Sequence, residues 1–87
     1  MNILQLTLSF ERGGRREAIR NLSTGLSELG HRVHLACLSH LGSEIEHLAP
    51  FSSSLILNRR KSFDLKATRQ LAKFCRDNRI DFVHTHD

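Results

Sequence analysis

Apolar and polar residues follow a strand pattern at the start of the chain and then a helical one. Residues 2–8 alternate apolar with polar side chains, which predicts a strand. From Arg15 to Leu29 the apolar residues recur at steps of one, three or four, the pattern of a helix packed on a sheet. Gly30 is expected to end that helix. Gly25, inside it, predicts a close approach of the helix to the sheet.

The middle of the chain predicts two more strands. Residues 33–38 form a nearly continuous apolar run, as expected of a parallel strand covered on both faces. Residues 55–57 predict a short third strand. Between the two strands, the spacing of apolar residues over 45–49 permits a short helix that Pro50 would stop.

The last third predicts a helix and a fourth strand. The helix ends near Asn78, and Ser62 or Asp64 could cap its start. The strand begins at Ile80 and runs into His84, Thr85, His86 and Asp87. One helix face carries Leu65, Thr68, Leu71, Ala72 and Cys75. This alternation of strands and helices predicts an α/β, Rossmann-like parallel sheet with strand order 3-2-1-4.

Composition indicates an ordinary globular protein. Of the 87 residues, 39% are hydrophobic and 25% are charged, which is outside the range of disordered or collagen-like chains. The apolar opening has no basic leader and is too short to span a bilayer, so we expect neither a signal peptide nor a membrane span. Cys37 and Cys75 have no metal-binding spacing and are expected to be reduced core thiols.

The net charge of +4 favours anionic partners. Nucleic acid is not expected, because the chain has no Tyr or Trp and its Phe residues do not alternate with basic ones. Basic residues concentrate at 59–61 and on the outer face of the last helix, where they form either a solvated face or a contact with anionic membrane. Those on the helix are Lys66, Arg69, Lys73 and Arg76.

Two segments are candidates for a binding site, because ligands of open α/β sheets bind at the carboxyl ends of the strands, near the point where strand order reverses. The first is the loop after strand one, whose glycine pair and helix start would suit an anion; its candidate residues are Gly13, Gly14, Arg15 and Arg16. An ordinary glycine-containing turn is the alternative. The pair does not match the dinucleotide fingerprint G-x-G-x-x-G.

The second segment is the end of strand four, with His84, His86 and Asp87. Residues two apart on a strand share a face, so the two histidines should project the same way. They could bind a substrate, or simply be satisfied by backbone or water. A metal site is not expected, because a third and fourth ligand are not apparent. The remaining histidines, at positions 31, 34, 40 and 47, are expected to be packed or solvated.

Three segments together resemble the first half of the N-terminal domain of family-4 glycosyltransferases of the GT-B type. They are MNILQLTLSFERGG, EAIRNLSTGLSELGHRV and RIDFVHTHD, which include Gly13-Gly14, Gly30-His31 and the His-x-His of residues 84–86. The resemblance implies transfer of a sugar from a nucleotide-sugar donor to an acceptor, with no cofactor. From its composition we expect a cytoplasmic protein, and from its basic residues a peripheral contact at the inner face of the membrane.

By this resemblance, residues 1–87 are the first half of the N-terminal, acceptor-side domain, and the C-terminal donor-binding domain is absent. We therefore expect the chain alone to be inactive, with no catalytic residue of its own. One departure is that Arg16 stands where many members carry Glu, with Glu17 one place later. The alternatives are a fragment of a metal-dependent hydrolase that uses His-x-His and a non-catalytic anion-binding α/β module.

Overall fold

The computed structural model of the chain describes residues 1–8, 14–39, 50–57 and 64–86. Within these ranges the chain alternates strands with helices along its length. In chain order the elements are β1 (Asn2–Thr7), α1 (Gly14–Glu28), β2 (Arg32–Cys37), β3 (Ser53–Ile56), α2 (Leu65–Asp77) and β4 (Phe82–His86). The short helix predicted over 45–49 lies outside the described residues.

The four strands form one parallel sheet in the order β3-β2-β1-β4, which confirms the predicted fold class and strand order. In the central strand β1, Gln5 pairs with Leu35 of β2 on one side and with His84 of β4 on the other. Strand order reverses between β1 and β4, because chain connections leave β1 toward β2 and later return to β4 on its opposite side.

One part of the core lies between α1 and one face of the sheet. Ile19 of α1 packs with Leu35 and Cys37 of β2, and the partly buried side chains of Phe51 and Ile56 pack against this cluster. Residues aligned across a parallel sheet point to the same face, so Gln5 and His84 lie on the α1 side. The opposite face carries α2, since the ring of Phe74 meets His34 edge-on, with centroids 6.2 Å apart.

Both helices end in the same backbone motif, in which a residue with positive φ closes the last turn. In α1 that residue is Gly30, with φ of 95°, and the N–H groups of Gly30 and His31 donate to the carbonyls of Ser27 and Leu26. This is a Schellman motif, and it confirms Gly30 as the terminating residue. In α2 the same position is held by Arg79, with φ of 51°.

The α2 end also explains why β4 begins later than predicted. The N–H of Ile80 donates to the carbonyl of Cys75 at 2.9 Å, so Ile80 completes the helix ending and is not available to the sheet. β4 accordingly starts at Phe82. At the other end of α2, Asp64 is the N-cap, with its Oδ1 accepting from the N–H of Ala67 at 3.2 Å. Ser62, the alternative cap, lies outside the described residues.

The third strand begins two residues before its predicted start at Leu55. Ser53 and Ser54 pair with His34 and Leu35 of β2. Parallel pairing is made by backbone groups, so it extends through serines that carry no apolar signal. The apolar pattern alone therefore misplaced this strand.

The prediction for Gly25 was wrong. Gly25 is exposed on α1, and a Cβ added there would meet no atom within 4 Å. This glycine does not mediate a close approach of the helix to the sheet, and it leaves the helix without the stabilisation an alanine would give.

Gly25→Ala should therefore raise the free energy of unfolding by about 1 kcal/mol, the difference in helix propensity between the two residues. Gly30→Ala is the matched control, and it should lower stability because its positive φ disfavours any Cβ. Denaturant unfolding of the three proteins measures both effects. A loss of stability in Gly25→Ala would mean that the glycine has a packing role after all.

β4 lies at the edge of the sheet, and the described residues leave both of its faces accessible. Phe82 is 58% exposed on the α1 side, and Val83 is 45% exposed on the α2 side.

None of the helices in the described ranges is both long and apolar enough to cross a bilayer.

Candidate functional site

The carboxyl ends of β1 and β4 lie side by side, at the point where strand order reverses. Thr7, the last residue of β1, is aligned with His86, the last residue of β4. Both side chains lie on the α1 face, because they are in register with Cys37 of the core cluster. This edge of the sheet is where open α/β folds bind ligands.

His84 and His86 contact each other at this edge. Their ring centroids are 4.1 Å apart with the planes tilted by 46°, and both side chains are partly buried. Thr85, between them, is exposed on the opposite face. The structure thus brings the two predicted histidines together as a pair with one accessible side.

Gln5 and Thr7 place two buried polar side chains beside the histidine pair. Gln5 is fully buried and Thr7 almost so, although both lie in the central strand among apolar residues. The Oε1 atom of Gln5 is 2.5 Å from Nε2 of His86. Neither residue was among the site candidates predicted from the sequence. Their position could have identified them, because a polar residue inside a strand that is covered on both faces must be buried.

The predicted loop is only partly described. Gly14 is the first residue of α1, and Arg15 lies in its first turn. The start of this helix lies toward the carboxyl edge of the sheet, because Ile19 in its second turn packs with Cys37, the last residue of β2. Arg16 follows, partly buried, with its Nε atom shielded from solvent. Gly13 and Asp87 lie outside the described residues.

Glu17 does not take the place of the Glu that the family pattern expects one residue earlier. It is exposed, and its Oε1 lies 3.5 Å from the guanidinium of Arg20 one helical turn away. Such a surface pair contributes little to stability. The first turn of α1 therefore carries Arg16 toward the interior and Glu17 toward solvent.

His34 serves the structure on the other face of the sheet. It is buried, with Nδ1 2.6 Å from Oγ of Ser53 and Nε2 3.1 Å from Oδ1 of Asn2. Burial, and then the charge of Arg32, lower the pKa of this imidazole. A neutral ring can donate its Nε2–H to Asn2 while Nδ1 faces the Ser53 hydroxyl, whose Oγ also lies 3.4 Å from Oδ1 of Asn78. The prediction that His34 is a packed histidine is confirmed.

The two cysteines are free thiols, but of the two only Cys37 lies in the core as predicted. Cys37 is buried in the core, and burial raises its pKa to about 12. Cys75 is partly buried, and burial raises its pKa as well. Neither thiol is therefore activated as a nucleophile.

Metal-binding side chains do not cluster in the part of the chain that the structure describes. Over residues 1–8, 14–39, 50–57 and 64–86, no three His, Cys, Asp or Glu side chains are grouped so that they could hold an ion. The partly buried histidine pair is instead suited to hydrogen bonding with a polar ligand.

Comparison with known families gives one match. The model of the family described as Glycosyltransferase Family 4 matches residues 12–87, which is most of the chain. Searches of the curated proteins and of the solved structures each gave no match.

Proposed function

Because the chain belongs to glycosyltransferase family 4, we propose that it forms the acceptor side of an enzyme that transfers a sugar from a nucleotide-sugar to an acceptor. The observation that carries the proposal is the pairing of His84 with His86 where the ends of β1 and β4 meet. Imidazoles at a strand end can donate to or accept from the hydroxyl groups of a sugar or other polar acceptor.

The start of α1 supplies the second part of the proposed site. It lies toward the same edge of the sheet as the histidine pair, since Ile19 in its second turn packs with Cys37, the last residue of β2. Unpaired N–H groups at a helix start attract anions, and Arg15 and Arg16 add positive charge to this turn. We assign this side, with Gly13, Gly14, Arg15 and Arg16, to the diphosphate of the donor and the acceptor near it. His84, His86 and Asp87 form the acceptor edge.

In this proposal, residues 1–87 are the first half of an N-terminal, acceptor-side domain, and a second domain of the enzyme binds the nucleotide. Residues 1–87 alone should then show no transfer, because the nucleotide of the donor is held by that second domain. The metal-dependent hydrolase finds no support in the described residues, where no ligand cluster forms around the histidines.

Gly14→Val should lower turnover of the enzyme that contains this chain by roughly tenfold or more, because a branched side chain obstructs the close approach of backbone to ligand. Gly25→Val is the matched control: it adds the same side chain to α1 at an exposed position with open space. Steady-state assays of nucleoside diphosphate release measure both. Undiminished turnover in a folded Gly14→Val enzyme would remove this turn from the site.

We also propose a peripheral contact between α2 and anionic membrane, which would place the enzyme at the inner face of a cell membrane. The supporting observation is that four cations lie on one exposed face of α2, at steps of three and four residues; they are Lys66, Arg69, Lys73 and Arg76. Each cation near an anionic surface contributes about 1 kcal/mol.

Arg69→Gln/Lys73→Gln should accordingly weaken binding to phosphatidylserine-containing vesicles by roughly thirtyfold, as two such contributions imply. Arg32→Gln/Arg79→Gln is the control, because it removes the same charge from exposed positions outside α2. Vesicle sedimentation measures the binding of both double variants and the wild type, with neutral phosphatidylcholine vesicles as the reference for binding that does not depend on charge. Equal losses in the two double variants would show that net charge, not this helix face, governs any binding.

A further inference from the structure

Gln5 is the one large polar side chain among the fully buried residues of the sheet. Its exposure is 0%, and its neighbours in register are Leu35 and His84. In a central strand, an apolar side chain of similar size would fill this position without desolvating an amide. The presence of an amide here therefore calls for a partner that uses it.

One half of the amide has that partner. Oε1 of Gln5 lies 2.5 Å from Nε2 of His86, so the imidazole donates its Nε2–H to the amide oxygen. In a neutral ring this contact keeps the proton on Nε2 and leaves Nδ1 as the acceptor nitrogen. It also sets the rotation of the ring, which lies against His84 with the two planes tilted by 46°.

The other half of the amide is unsatisfied within the described residues. Nε2 of Gln5 is buried and has no hydrogen-bond partner there. A buried donor left without a partner lowers stability. If Gln5 served only to fill the core, a methionine or leucine at this position would make the fold more stable.

We propose that Gln5 is a positioning residue, which holds the His86 imidazole in the orientation and tautomer that bind the acceptor. This inference rests on the proposed function for the role of His86, and it adds a residue to which sequence reasoning gave no role. The amide of β1 acts through His86 and needs no contact with the sugar.

Two variants separate this role from a structural one. Gln5→Met keeps the approximate volume and removes the amide, while Gln5→Glu keeps the acceptor and adds a charge. If the Gln5–His86 contact served mainly to stabilise the sheet, Gln5→Met would be clearly less stable than the wild type. The positioning role predicts stability close to that of the wild type in denaturant unfolding, since removal of an unsatisfied buried donor offsets loss of the contact with the partly buried His86.

The contact itself is tested by ¹H–¹⁵N spectra of the imidazoles in the 87-residue chain. In Gln5→Glu the neighbouring carboxylate should raise the pKa of His86 by roughly one unit or more. His34, on the opposite face, is the internal control for an intact fold. An unchanged pKa of His86 in a folded Gln5→Glu chain, or a wild-type His86 that carries its neutral proton on Nδ1, would overturn the proposal.

Kinetics of the enzyme that contains the chain test the consequence. Gln5→Met should raise the acceptor KM by roughly fivefold, as loss of one hydrogen bond implies, and change kcat less. Added to His86→Ala, it should have no further effect, because the amide acts only through that ring. Independent, additive losses would overturn the positioning role. Absence of sugar transfer by the wild type would instead contradict the proposed function and leave the spectroscopic result standing.

Discussion

His34→Ala is expected to lower the free energy of unfolding by roughly 2–4 kcal/mol, a large fraction of what a domain of this size has. The buried ring joins β1, β2 and β3 through its contacts with Asn2 and Ser53, and it packs edge-on against Phe74 of α2. Removing it opens a cavity and leaves the Ser53 hydroxyl without its closest partner. Denaturant unfolding monitored by circular dichroism measures the loss.

The same residue should make stability depend on pH in a defined direction. The pKa of His34 is lower in the folded chain than its ordinary value of 6.5. Below pH 6.5 the unfolded chain therefore binds a proton that the folded chain does not, and stability falls as pH decreases toward the folded pKa. Above pH 6.5 the His34 ring is neutral in both the folded and the unfolded chain, so its titration no longer changes stability.

His34→Gln is the control for the pH effect, because it removes the titrating group and keeps a polar side chain. The fall in unfolding free energy between pH 7.5 and 5.5 should be smaller in this variant than in the wild type. His31→Gln, at the amino-terminal edge of the sheet, serves as the comparison for loss of a histidine elsewhere. An equal fall in wild type and His34→Gln would show that other groups govern acid sensitivity.

Much of the fold could be predicted because apolar periodicity follows burial. β2 is buried on both faces, and its continuous apolar run identified it directly. The pattern failed where backbone groups or local motifs decide the structure. Ser53 and Ser54 join β3 through backbone pairing, and Ile80 looks like a strand residue but completes the end of α2.

Gly25 shows a different limit of sequence reasoning. A glycine within a helix can mark close packing or can simply be an exposed position that lowers helix stability, and local sequence does not distinguish the two. In the structure Gly25 is exposed, and nothing lies within 4 Å of an added Cβ.

At the candidate site, periodicity could predict that His84 and His86 share a face. It could not predict that Gln5 would reach His86, because that contact depends on the register between β1 and β4, which are far apart in sequence. The roles assigned to Gly13 and Asp87 rest on the family resemblance, since both lie outside the described residues.

The central claim is that the histidine pair binds the acceptor of a sugar transfer, and the most direct test is the acceptor kcat/KM of the enzyme that contains this chain. His84→Ala/His86→Ala should lower it by roughly a hundredfold, as expected from two hydrogen bonds of about 1.5 kcal/mol each. Thr85→Ala, between them on the opposite face, should leave it unchanged. The assay follows release of nucleoside diphosphate across a panel of nucleotide-sugars and acceptors. A folded double variant with wild-type kcat/KM would contradict the account.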